Sequence, residues 1–121
     1  MPVFSRVRDG VLVLTVDGDY TANELRRVGL TAFEANNTPK RVPVLLDLSG
    51  AAGLARKSPA DIAATGAIFG VYRDRLTAIA VVAAQDVLHL FDERSEFASA
   101  TGVSVQACAS HADARGWLLK A

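Results

Sequence analysis

The side chains best placed to do chemistry lie between Asp47 and Asp61. Asp47 and Ser49 close an apolar run, Val42-Pro43-Val44-Leu45-Leu46. A carboxylate and a hydroxyl at a strand end can grip a polar ligand, because open α/β sheets gather their sites there. Ser58-Pro59-Ala60-Asp61 has a hydroxyl followed three residues later by a carboxylate. That is the pattern of a helix start, and a phosphate on Ser58 would sit at the positive end of the helix dipole. An enzyme using Asp47, Ser58 or His89 would need those groups to converge with a nucleophile, a base and an oxyanion pocket, and no complete set is present in the sequence. His89 and Asp92, three apart, could offer two metal ligands, but further ligands at compatible spacing are missing. Cys108 has no paired histidine motif and reads as a buried structural thiol. Gly50-Ala51-Ala52-Gly53 fits neither a P-loop nor a dinucleotide fingerprint. We therefore expect no cofactor, no metal and no enzymatic activity.

The composition narrows the partners. Thirteen basic residues balance thirteen acidic ones in 121 residues, so no basic excess is available to neutralise phosphates and nucleic-acid binding is not expected. A single cysteine and no signal peptide point to a reducing cytoplasm. No apolar run reaches the ~20 residues of a membrane span. Half the residues are hydrophobic, which calls for a well-covered core or for apolar surface that meets a partner.

The elements that must hold these residues are readable from periodicity. Val3 to Val7 and Val11 to Asp17 flank Asp9-Gly10 and predict an N-terminal hairpin. Thr21-Ala22-Asn23-Glu24 is a capping box opening a helix from Ala22 to Ala35, with Leu25, Val28, Ala32 and Phe33 inward. Val42 to Leu46 is a strand covered on both faces, followed by a loop from Leu48 to Lys57. The helix from Pro59 to about Tyr72 is apolar nearly all round, Thr65 being its one polar side chain after Ile62. It therefore calls for a second cover. Arg73-Asp74-Arg75 reads as a solvated turn, from which Arg73 and Arg75 could meet an acidic partner. Thr77 to Ala84 is a buried strand, and Asp86 caps a third helix from Val87 to Ala100. Val103 to Ala107 is a last strand. Ser110 caps a last helix, in which Trp117 serves as a core plug and from which His111 points to solvent. The order is β-β-α-β-α-β-α-β-α in one α/β domain, a mostly parallel five-stranded sheet with about four helices.

This order resembles the STAS fold, and more narrowly the small SpoIIAA-like proteins of the anti-sigma-factor-antagonist group. Val44-Leu45-Leu46-Asp47-Leu48-Ser49, Arg75-Leu76-Thr77-Ala78-Ile79-Ala80-Val81-Val82 and the closing Ala114-Arg115-Gly116-Trp117-Leu118 carry the resemblance. It implies a regulatory module that works by protein contact. The antagonists are phosphorylated on a serine in an Asp-Ser-x-Gly-Leu stretch. Here that stretch is absent, and Ser58 is the nearest equivalent by place. The same fold in lipid-carrying Sec14-type domains implies a small apolar ligand as the alternative.

Together these readings give a non-catalytic STAS-like binding module acting on a protein partner or as a homodimer. Its contact surface would be the helix from Pro59 to Tyr72 with the loop before it, Gly66 and Arg73 included. In the alternative, an apolar ligand lies near Leu54, Ile62 and Phe69.

Overall fold

Asp9 and Gly10 both take positive φ, 53° and 78°, the requirement of a two-residue type I′ turn. They join β1 (Val3–Arg8) to β2 (Val11–Gly18) as an antiparallel hairpin in the computed structural model, which describes residues 3–120. α1 (Ala22–Glu34) opens with the expected capping box: Thr21 Oγ1 accepts from the Glu24 N–H, and Glu24 Oε1 from the Thr21 N–H. Then follow β3 (Val42–Ala51), α2 (Pro59–Gly70), β4 (Leu76–Val82), α3 (Glu96–Thr101), β5 (Val105–Cys108) and α4 (His111–Lys120). The sheet order is β1-β2-β3-β4-β5, and every pair after the hairpin is parallel.

Strands laid down in sequence order with crossovers of one hand leave their connecting helices on one face. Accordingly Leu25 and Phe33 of α1, Ile62 and Phe69 of α2 and Phe97 of α3 share a core with Leu14, Leu46, Ile79 and Val81. Among the described residues no strand follows α4, and it covers the other face. There Ala114 and Leu118 pack with Leu45, Ala78, Ala80, Val82 and Cys108. Trp117 is half-buried at the margin of this second core rather than plugging it.

Three expectations need correction. First, β3 runs on through Leu48-Ser49-Gly50, the start of the expected loop, because β2 continues to pair with it. Thr15 faces Asp47 and Asp17 faces Gly50, so β3 carries one extra residue in a bulge at Leu48–Ser49. Second, the helix expected from Val87 to Ala100 is split. A 3-10 segment, Gln85–Phe91, precedes the short α3, and Asp86 caps neither. Asp92 Oδ1 accepts from the Arg94 N–H and the Ser95 hydroxyl donates to the Asp92 carbonyl. These local bonds compete with the helical ladder. Ser95 Oγ then caps α3 through the Ala98 N–H at 3.0 Å. Third, the turn at Arg73–Arg75 is not merely solvated. Arg75 donates to the carbonyls of Phe33 at 2.9 Å and Lys40 at 2.6 Å, tying the end of α1 to the start of β4.

α2 finds part of its second cover within the chain. A Cβ on Gly66 would lie 2.3 Å from the Phe97 carbonyl oxygen, and one on Gly70 2.5 Å from that of Ala100. Both glycines let α3 lie directly on α2. Gly66, expected on the contact surface, is buried against α3.

Candidate functional site

The β3 bulge builds a polar cluster of Asp47, Ser49 and His111. Leu46 and Leu48 face the main core, while Asp47 points to the α4 face, only 8% exposed. The bulge turns Ser49 back on it: the Ser49 N–H and hydroxyl both donate to Asp47 Oδ1, at 2.9 and 2.6 Å. The other oxygen, Oδ2, is 2.6 Å from His111 Nε2 at the first turn of α4. Ser110 fixes that turn, its Oγ accepting from the Asp113 N–H. Burial works to raise the Asp47 carboxyl, but the bonds from Ser49 and His111 outweigh it and hold the group below its ordinary value.

The order of this chain matters. In a hydrolytic triad the imidazole stands between the hydroxyl and the carboxylate. Here the carboxylate stands in the middle, and Ser49 gives its proton to Asp47 rather than to His111. The cluster is a clasp between β3 and α4. His111 is exposed, as expected, and what sequence reasoning missed is that its ring reaches back to Asp47. The available signal was Asp47 itself: a carboxylate in a strand buried on both faces needs a partner from elsewhere in the chain.

Beside the clasp, at the carboxyl ends of β3 and β4, lies an open cleft of about 360 Å³. Ser49 and Leu54 border it, with Arg56 and Asp86 bringing opposite charges to its rim. Ser58 lies outside it. Its Oγ accepts from the Asp61 N–H at 3.1 Å, and Asp61 Oδ2 accepts from the Ser58 N–H, so the pair closes a capping box on α2.

The remaining candidates scatter. Ile62 and Phe69 fill the core, Phe69 edge-on to Phe97 with centroids 6.2 Å apart. Leu54 belongs to the same core and also borders the cleft, which Ile62 and Phe69 do not. Arg73 is exposed at the end of α2. Asp47, Ser58 and His89 are not joined: Asp47 bonds Ser49 and His111, Ser58 bonds Asp61, and His89 sits exposed on the 3-10 segment. Among the described residues no group of three His, Cys, Asp or Glu side chains is placed to hold a metal. No helix among them is long and apolar enough to cross a membrane. Cys108 is buried, and burial together with the Asp113 charge raises its thiol, the opposite of activation.

α2 keeps one face free. Ala60, Ala64 and Ala67 are exposed, and Val71 is 80% exposed. With Ala22, Asn23 and Arg26 of α1, this face borders a groove of about 310 Å³ floored by Ile68.

No known family model and no curated protein matches the sequence. Among solved structures, the chain is similar to an uncharacterized protein of the DUF3478 family with a SpoIIAA-like fold, from Shewanella loihica PV-4. The TM-score is 0.63 at 13% identity, over 96% of this chain and 91% of that one. The molecule is thus an α/β protein with the SpoIIAA-like fold. At that identity the likeness defines the fold and leaves function to the site.

Proposed function

We propose that this protein is a non-catalytic binding module that acts through protein–protein contact. One observation carries the proposal. α2 is locked to its own chain by Gly66 and Gly70, yet it turns an apolar strip, Ala64, Ala67 and Val71, to solvent beside the Arg26 groove. A large aliphatic side chain left bare beside a shaped groove suits a partner helix laid along it. The clasp at Asp47 supports the non-catalytic reading, since it leaves Ser49 without an imidazole base. The test is retention of a partner from native lysate on immobilised protein, wild type beside Val71→Glu. Val71 is exposed, so the variant keeps its fold. Retention by wild type and loss in the variant supports the proposal; equal retention, or none by wild type, counts against it.

A further inference from the structure

Arg56 and Asp86 bring two opposite charges to one cleft without pairing. Asp86 caps no helix, and among the described residues neither side chain enters an ion pair. Both border the opening of about 360 Å³ beyond the carboxyl ends of β3 and β4. They reach it from separate elements. Asp47 lies opposite Val82 in the β3–β4 ladder, so Ser49 and Asp86 follow from neighbouring strand ends. Arg56 comes from the loop between β3 and α2, and its guanidinium rests against Gly53 at the border of the same cleft. A Cβ on Gly53 would lie 3.4 Å from Arg56 Nη2. Asp19 Oδ1 approaches the same glycine but does not pair with Arg56. Between the charges the lining is aliphatic, with Leu48, Leu54 and Val87 all buried. Ser49 adds a polar atom of fixed sense. Its hydroxyl proton goes to Asp47 Oδ1 at 2.6 Å, so its oxygen is left to accept.

We infer that this cleft binds a small zwitterion with an aliphatic body, the chemistry of a free amino acid such as leucine. Its carboxylate lies on the Arg56 fork. Its ammonium donates to the Asp86 carboxylate and to Ser49 Oγ, and its alkyl part covers Leu54 and Val87. The pair of signs selects the ligand class: a simple anion would meet Asp86, and a simple cation would meet Arg56. Size points the same way, since ligand pockets span about 300–1,000 Å³ and this one lies at the small end. Its place at the strand ends is where open α/β sheets gather their ligands. The cleft shares no lining residue with the Arg26 groove, so the inference does not depend on the α2 surface.

Titration of the full chain with L-leucine, L-valine and L-methionine, each to about 5 mM, followed by amide NMR, tests it. At least one is expected to saturate, with shifts centred on Ser49, Leu54, Arg56 and Asp86. Two probes each lack one charge of leucine: 4-methylpentanoate has no ammonium and 3-methylbutylamine no carboxylate. Each should bind wild type about tenfold or more weaker than leucine. Arg56→Gln and Asp86→Asn, changes at exposed side chains, should weaken the amino acid by a similar factor. Val71→Glu should leave its affinity unchanged, so this site and the α2 surface fail separately. Absence of saturable shifts with all three amino acids overturns the inference, as do shifts centred elsewhere. A one-charge probe that binds as tightly as leucine, or an affinity indifferent to Arg56→Gln and Asp86→Asn, also overturns it.

Discussion

His111 Nε2 and Asp47 Oδ2 meet at 2.6 Å across 64 positions of the chain. This is the polar tie between α4 and the strand at the middle of the sheet. Because Asp47 titrates below its ordinary value in the folded protein, its contribution is complete above the usual carboxylate range. It is lost as pH falls through the lowered value. Asp47→Asn should therefore cost about 1–3 kcal/mol at neutral pH, with the deficit shrinking below about pH 4. Urea unfolding at pH 7 and pH 3 checks this; a deficit equal at both pH values contradicts it.

Arg75 ties two segments, the end of α1 at Phe33 and the stretch Pro39-Lys40 before β3, to the start of β4. Arg75→Ala should destabilise by about 1–3 kcal/mol, the range for hydrogen bonds from a charged donor. Lysine should recover little, since a single ammonium cannot reproduce the planar fork. Thermal unfolding of the two variants against wild type measures both effects.

Two glycines in helices should respond with opposite sign. At Gly66 an added methyl meets the Phe97 backbone oxygen, and backbone cannot yield as a flexible side chain would. Gly66→Ala should cost about 1–3 kcal/mol despite alanine's better helix propensity. A Cβ on Gly116 of α4 meets nothing within 4 Å, so Gly116→Ala should stabilise by about 0.4–1 kcal/mol. Equilibrium denaturation of both variants decides the matter; the same sign for both would show that α2 and α3 are less closely packed than described.

The capping box at Ser58 predicts a local effect. Ser58→Ala should lower stability by about 1 kcal/mol, and hydrogen exchange should quicken first in the opening turn of α2. A uniform change along the chain would argue against the cap.

Much of this arrangement was legible in residue order. The Asp9-Gly10 turn, both capping boxes, the five strands and the SpoIIAA-like topology follow from local patterns that need no distant partner. What could not be read depended on distance in the chain. Gly66 was assigned to the contact surface, and only the position of α3 shows it and Gly70 pressed against carbonyls. Apolar spacing predicts one helix from Val87 to Ala100, but Asp92 and Ser95 interrupt it through short bonds. His111 is exposed as its place after a cap implies, but its contact with Asp47 is not legible, because periodicity within α4 carries no trace of β3. Arg75 was misjudged for the same reason, its acceptors lying on the far side of β3 in sequence.

Covering one sheet face with the helix that follows every strand has a consequence for synthesis. Ala78, Ala80, Val82 and Cys108 have no helical cover until residues 111–120 have emerged. A nascent chain paused before that point presents a nearly finished sheet with one greasy side open. Such a species is prone to stick to its neighbours or to draw in a chaperone. The longer the pause before residues 111–120 emerge, the longer that open side stays exposed.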